Sequence, residues 1–98
     1  MTAYWVNTFR SVTDEAKLAA YAELAGTVMQ DHGGRFLARG TAVRAFEAGV
    51  TERTVVIEFP SAEAAIAAYE SDAYQAALEA LGDGAVRDIR IVEAVPET

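Results

Sequence analysis

Cysteine is absent from this chain of 98 residues, and histidine occurs once. Without cysteine the protein has no disulfide, no thiolate nucleophile and no cysteine zinc site. No stretch reaches the roughly 18 unbroken apolar residues that indicate a transmembrane helix. Residues 1–5 lack the basic region that precedes the apolar part of a signal peptide. We therefore expect a cytoplasmic protein with no membrane partner.

Positive charge is also scarce, because 8 basic residues face 15 acidic ones and the net charge is −7. An acidic surface repels nucleic acid and anionic lipid, so neither is an expected partner. Apolar residues make up 52% of the chain, which is typical of a globular protein. The length predicts a single domain over residues 1–98.

The apolar pattern predicts four strands and two helices in the order β-α-β-β-α-β. The second helix is expected to break at Ser71-Asp72, where a new N-cap sequence occurs. Residues 42–47 either extend the second strand or begin a hairpin. Gly26 costs about 1 kcal/mol inside a helix, which suggests that another backbone approaches it closely. The predicted strands cover about 3–10, 35–39, 54–59 and 87–95, the helices run from Asp14 to His32 and from Ser61 to Leu81, and residues 96–98 form a tail.

This order is that of the α+β ferredoxin-like fold, with both helices on one face of a four-stranded antiparallel sheet. Such a sheet normally alternates apolar and polar residues, because one face is wet. Here both faces carry apolar side chains, as Val56 beside Val55 and Val92 beside Ile91 illustrate. We therefore predict a homodimer in which a second copy covers the face away from the helices.

Five blocks in the same order along nearly the whole chain resemble a bacterial family catalogued as domain of unknown function 1330. The resemblance implies a ferredoxin-like fold that assembles as a dimeric α/β barrel, and it implies no established activity. The blocks are AYWV at 3–6, HGGRFLARG at 32–40, RTVVIEFPS at 53–61, YESDAYQ at 69–75 and DIRIVE at 88–93.

Two residues are candidate proton-transfer groups. Glu58 lies in an apolar strand and should point away from the helices, where it could act as a base or form an ion pair with an arginine. His32 titrates near neutral pH, but its position at a helix end equally suits a capping role.

Other polar and aromatic residues are candidates for holding a small organic ligand. Arg39 could bind a carboxylate, and alternation places it on the same face as Arg35. The aromatic and amide candidates for a pocket between sheet and helices are Asn7, Trp5, Tyr69, Tyr4 and Tyr74. No phosphate-binding loop, nucleophile elbow or metal-ligand spacing is present, so we expect neither cofactor nor metal.

Three functions fit these observations. The first is a homodimer that binds a small acidic or aromatic molecule through Arg39, Glu58, His32, Asn7, Trp5 and Tyr69. The second is a cofactor-independent enzyme of isomerase, lyase or monooxygenase type that uses Glu58 or His32 as its base, by analogy with other dimeric α/β barrels. The third is a structural interaction module without a ligand.

Overall fold

The computed structural model describes residues 1–96 and contains one antiparallel sheet and three helices, which confirms the ferredoxin-like fold. Of the predicted tail, Pro96 follows the last strand, whereas Glu97 and Thr98 lie outside the described residues. The elements are β1 (Ala3–Val12), α1 (Glu15–Asp31), β2 (Arg35–Thr41), β3 (Arg53–Phe59), α2 (Ala62–Glu70), α3 (Asp72–Leu81) and β4 (Ala85–Glu93).

The strand order in the sheet is β2-β3-β1-β4, so β1 and β3 are central while β2 and β4 form the edges. Residues that alternate along β1 and β3 are buried under the helices, and the residues between them face the opposite side. We call this opposite side the outer face. The core under the helices includes Trp5, Phe9, Phe59 and Tyr74, all nearly inaccessible to solvent.

Side-chain caps explain where the helices begin. The carboxylate of Asp14 accepts a hydrogen bond from the Lys17 amide at 3.0 Å and starts α1. The Ser71 hydroxyl accepts from the Tyr74 amide at 3.2 Å and donates to the Ala68 carbonyl at 2.8 Å. One hydroxyl therefore ends α2 and begins α3, which confirms the predicted break.

The end of α1 requires glycine. Gly33 has a φ of 84°, in the region that side chains disfavour. At Gly34 a Cβ would lie 2.8 Å from the Met29 carbonyl oxygen. These two residues let the chain turn sharply from α1 into the edge strand β2.

Several sequence-based boundaries need correction. β2 continues to Thr41, and β3 begins one residue earlier than predicted, at Arg53. β1 continues to Val12, because it pairs with the start of β4 beyond an irregularity at residues 9–11. β4 covers Ala85–Glu93 and therefore begins and ends two residues earlier than predicted. Residues 42–52 form an irregular connection between β2 and β3, so the proposed extension of β2 through residues 42–47 is wrong. Within residues 1–96, no helix has the length and apolar character needed to cross a membrane.

Candidate functional site

A cavity of about 60 Å³ lies between α1 and the sheet, and we call it the Asn7 cavity. By the usual measure, each buried water needs about 10–15 Å³ of such volume, so the cavity has room for a few waters or a compact chemical group. Its floor consists of two rows of side chains across the sheet, Trp5–Ile57–Phe36 and Asn7–Val55–Arg39.

The roof of the Asn7 cavity is the inner surface of α1, which contributes Leu18, Tyr21, Ala22, Ala25, Gly26 and Met29. A Cβ added at Gly26 would have no atom within 4 Å, so the predicted close approach of another backbone is wrong. The missing side chain instead leaves space in the cavity roof. Glycine at this position makes the helix about 1 kcal/mol less stable than alanine would. The packing around it does not require a glycine.

Asn7 is the uncharged polar residue of the cavity floor, and it is 3% exposed. Its Oδ1 atom is buried and has no hydrogen-bond partner among the described residues. A buried polar atom without a partner costs about 1–3 kcal/mol of stability. Asn7 therefore holds an unused hydrogen-bonding group on the floor of a cavity whose lining is mainly apolar.

Two arginines, Arg39 and Arg53, line the same cavity on its β2 and β3 side. Arg39 pairs with Val55, and Thr41 pairs with Arg53. The two arginines are therefore diagonal neighbours on adjacent strands, with their Cα atoms about 7–8 Å apart. Neither forms a salt bridge within residues 1–96. Arg39 also stacks on the Phe36 ring at 4.7 Å, which fixes its direction. The cavity thus has two unpaired cations on one side.

The expectation that Arg35 and Arg39 share a face is wrong. The register shifts between Phe36 and Ala38, where β2 contains an extra residue. A bulge of this kind reverses the alternation of side chains beyond it. Arg35 therefore reaches the outer face, while Arg39 turns toward the helices.

The structure does not bring the two candidate bases into the cavity. Glu58 lies on the outer face and accepts a hydrogen bond from Arg35 at 3.1 Å. His32 caps α1, with its Nδ1 atom 2.9 Å from the Val28 carbonyl oxygen. A catalytic role for Glu58 or His32 stays a prediction.

The aromatic candidates separate into different environments. Trp5 lines the cavity, whereas Tyr69 lies beside β4 and Tyr4 on the outer face. Tyr74 is fully buried, and its hydroxyl lies 2.7 Å from that of Tyr21. Burial, and secondarily the Tyr21 hydroxyl, raise the pKa of Tyr74 far above its ordinary value, so it remains a neutral phenol.

Arg87 completes this buried polar group. It donates a hydrogen bond to the Tyr21 hydroxyl at 2.9 Å, and its guanidinium lies 4.6 Å from the centre of the Tyr21 ring. We call Tyr21, Tyr74 and Arg87 the tyrosine cluster. Tyr21 also lines the Asn7 cavity, so the tyrosine cluster lies beside that cavity.

Among the residues that the structure describes, no carboxylate or imidazole lines the Asn7 cavity. In the part of the chain that is described, no three potential metal-ligating side chains come together. The cavity therefore offers hydrogen bonding and positive charge rather than a built-in base. Its chemistry suits recognition of an anion that carries an additional polar group.

The predicted ligand residues Asn7, Trp5 and Arg39 meet in one cavity. Arg53, which also lines this cavity, was not among the predicted ligand residues. The signal was available, because Arg53 alternates in step with Val55 and Ile57 and so belongs to the buried side of β3.

Among curated proteins, no relative matches this chain. Solved structures share its fold at low sequence identity. The RPA0582 protein of unknown function from Rhodopseudomonas palustris is 16% identical with a TM-score of 0.75, over 98% of this chain and 84% of that one. SnoaB, a cofactor-independent oxygenase from Streptomyces nogalater, is 14% identical with a TM-score of 0.61, over 98% and 95%. A dimeric protein of unknown function with a ferredoxin-like fold from Bacteroides fragilis is 13% identical with a TM-score of 0.60, over 95% and 96%.

The family comparison agrees with the blocks of sequence on which the resemblance was based. The family model that matches covers residues 2–95, which is almost the entire chain. The chain therefore belongs to the family described as domain of unknown function (DUF1330).

Proposed function

We propose that the protein binds a small organic anion in the Asn7 cavity. The observation that carries this proposal is the unpartnered Oδ1 atom of Asn7, buried in a cavity that is also lined by the exposed Arg39 and the half-buried Arg53. A ligand with a hydroxyl or N–H group supplies the donor that Asn7 lacks. Its binding removes a desolvation cost that the empty protein bears.

The arginines support an acidic group at the other end of the ligand. The Cα atoms of Asn7 and Arg39 are two strands apart, which corresponds to about 10 Å. A carboxylate between Arg39 and Arg53 can accept charge-assisted hydrogen bonds from both. The separation fits a compact aromatic acid whose ring lies over Val55 and whose hydroxyl reaches Asn7.

Trp5 provides a direct test, because it is the single tryptophan of the chain and it lines the cavity. Fluorescence titration with 4-hydroxybenzoate should give a saturable change. Benzoate lacks the donor for Asn7, and phenol lacks the carboxylate for the arginines. Both should bind about tenfold more weakly or worse, as expected for loss of one buried or charged hydrogen bond. Equal affinity for all three compounds would refute this assignment of polar contacts.

Variants of the two arginines test where the carboxylate of the ligand binds. Arg39→Gln and Arg53→Gln should each weaken 4-hydroxybenzoate binding while leaving phenol binding unchanged. Arg44→Gln is the matched control, because Arg44 is exposed in the connection between β2 and β3 and does not line the cavity. A loss of affinity in Arg44→Gln equal to that in Arg39→Gln would indicate a general charge effect instead of a site.

The outer face supports the proposal that two copies form a dimer through their sheets. Tyr4, Val6 and Val56 form a half-buried apolar strip there, and Val92 beside it is 55% exposed. The nearby connection adds exposed Phe46. An apolar sheet face of this kind is normally covered in two-layer folds.

Light scattering after size-exclusion chromatography tests the dimer. The protein should elute as a dimer, and Val56→Glu should convert it to a monomer, because two buried carboxylates would face each other across the interface. Ile66→Glu is the control, since Ile66 is 45% exposed on α2, away from the sheet. A monomeric parent protein would contradict the proposal.

Cofactor-independent catalysis, of isomerase, lyase or monooxygenase type, is the second candidate. Its support is the shared fold with SnoaB, described as a cofactor-independent oxygenase. In this alternative, Glu58 or His32 acts as base and Arg39 stabilises the developing anion. Mass spectrometry of 4-hydroxybenzoate incubated with the protein in air would detect a product. Activity should disappear in Glu58→Gln or His32→Asn, and unchanged turnover in both would refute their role as bases.

The third hypothesis is a structural module without a ligand. It predicts that no compound causes a saturable change in the fluorescence of Trp5. A cytoplasmic location stays a prediction from the sequence.

A further inference from the structure

A second concave region lies outside the Asn7 cavity, between α3 and the edge strand β4, and we call it the β4 groove. Its volume is about 520 Å³, and its lining includes Leu78, Leu81, Ile89, Ile91 and Tyr69 together with Arg87. Gly82 and Ala85 continue the lining on the other side of Arg87. No strand pairs with the outer edge of β4 in residues 1–96. The groove therefore places several apolar side chains beside a single cationic group.

Arg87 is distinctive among the basic residues of the described chain. Four of them, Arg10, Lys17, Arg35 and Arg90, form salt bridges with carboxylates, and all four residues are exposed. Arg87 is half-buried and has no carboxylate partner there, although the chain contains 15 acidic residues. Within residues 1–96, the only other basic residue that is not exposed is Arg53, which lines the Asn7 cavity.

The contacts of Arg87 leave much of its hydrogen-bonding capacity unused. Its Nη1 atom donates to the Tyr21 hydroxyl, and its planar group stacks on the Tyr21 ring. A guanidinium has five N–H donors, and the bond to Tyr21 uses one of them. Stacking on Tyr21 holds the cation in place before any ligand arrives, which reduces the entropy lost on binding.

The larger apolar side chains of β4 that line the groove lie on one side of this cation. Arg87, Ile89 and Ile91 alternate on the helix side of β4, so the groove runs about 13 Å from Arg87 to Ile91. Leu78 and Leu81 of α3 form the opposite wall. A cation followed by a row of isoleucine and leucine side chains matches a ligand with an anionic head and an unbranched apolar tail.

We propose that the β4 groove binds the carboxylate of a medium-chain fatty acid, with the head on Arg87 and the chain along Ile89 and Ile91. Charge complementarity with an otherwise unpaired, half-buried arginine specifies the anionic head. The two sites have no lining residue in common, so the β4 groove is distinct from the Asn7 cavity. This proposal does not depend on the proposed function of that cavity.

The isoleucines allow both sites to be observed at once. The chain has four isoleucines: Ile57 in the Asn7 cavity, Ile89 and Ile91 in the β4 groove, and Ile66 on the exposed side of α2. Methyl NMR of the isoleucine-labelled protein titrated with octanoate should show saturable shifts at Ile89 and Ile91. Ile66 should not move. Shifts at Ile57 alone, or no saturable shift, would overturn the proposal.

The uncharged analogue 1-octanol tests the role of the cation without altering the protein. It should bind at least about tenfold more weakly than octanoate, since it cannot form the charge-assisted pair. Equal binding of the two compounds would reduce the groove to a non-specific apolar surface and contradict the proposal. Titration with 4-hydroxybenzoate, which should move Ile57, reports separately on the Asn7 cavity.

Arg87→Met supplies the variant test, because methionine keeps an unbranched side chain and removes the charge. Octanoate affinity should fall at least about tenfold to the level of octanol, and octanol affinity should not change. Arg44→Met is the matched control. If Arg87→Met does not fold, Leu78→Glu, at a half-buried position on the opposite wall, should abolish octanoate binding by repulsion. Retained binding in Leu78→Glu would overturn the proposal.

Discussion

Two polar groups are buried under the same helices, but only one of them has hydrogen-bond partners. The Tyr74 hydroxyl is fully buried and is bonded to Tyr21, which in turn accepts from Arg87. The Asn7 Oδ1 atom is buried to a similar degree and has no partner within residues 1–96. A satisfied buried network stabilises and specifies a core, whereas an unsatisfied group reduces stability. The contrast separates a structural polar cluster from a candidate binding group.

The largest expected effect is in the tyrosine cluster. Tyr21→Phe leaves the Tyr74 hydroxyl buried without its partner and deprives Arg87 of its acceptor. We expect the free energy of unfolding to fall by about 2–3 kcal/mol, measured by urea denaturation. Tyr69→Phe is the control and should change it by less than about 0.5 kcal/mol, because Tyr69 is 37% exposed. Equal effects of the two substitutions would mean that the cluster is not structurally important.

A substitution in the roof of the Asn7 cavity should raise the free energy of unfolding instead of lowering it. Gly26→Ala improves helix propensity and adds a methyl group where no atom lies within 4 Å. We expect a gain of about 0.5–1 kcal/mol in unfolding free energy, together with weaker binding of 4-hydroxybenzoate. Thr27→Ala, at an exposed position on the same helix, should leave binding unchanged. Loss of stability in Gly26→Ala would show that the space is needed for packing.

A smaller effect on stability is expected on the outer face, where Arg35 and Glu58 already form a salt bridge with each other. The Arg35 and Glu58 side chains are 71% and 31% exposed, and exposed pairs contribute less than about 1 kcal/mol. Glu58→Gln should therefore change the melting temperature little and leave the affinity for 4-hydroxybenzoate unchanged. A marked loss of affinity would place Glu58 in the binding site and refute its separation from the Asn7 cavity.

The smallest effect concerns a surface carboxylate. Hydrogen bonding from Arg90, opposed by partial burial and assisted by Arg10, holds the pKa of Asp88 below its ordinary value. Since the folded pKa is the lower one, this contribution to stability is present above the unfolded pKa and disappears as the pH falls through the folded pKa. Carbon-13 NMR of the Asp88 carboxyl should show a low midpoint that rises in Arg90→Gln. An unchanged midpoint would contradict the assignment.

Local signals were sufficient to predict the fold. Ser71 marked the break between α2 and α3, and Gly33-Gly34 marked the end of α1, because caps and turns depend on neighbouring residues. The connection between β2 and β3 could not be assigned in the same way. Residues 42–47 contain apolar side chains but no alternation that selects a strand over a loop.

The candidate site was predicted in part. Asn7 and Trp5 alternate on one face of β1, so their shared environment follows from strand geometry. The side of Arg39 could not be derived, because the extra residue in β2 reverses the alternation and nothing in the sequence marks a bulge there. Tertiary packing determines which polar group lacks a partner, and so the contrast between Asn7 and Tyr74 appears only in the structure.

The central claim is that Asn7 reduces stability in order to bind a ligand, and thermal unfolding of Asn7→Leu with and without 4-hydroxybenzoate tests it most directly. Without the compound, the variant should melt at a higher temperature than the parent protein, because leucine removes an unsatisfied buried amide at similar volume. Addition of 4-hydroxybenzoate should raise the melting temperature of the parent protein and not that of the variant. A variant that melts lower, or that responds to the compound as the parent does, would contradict the account.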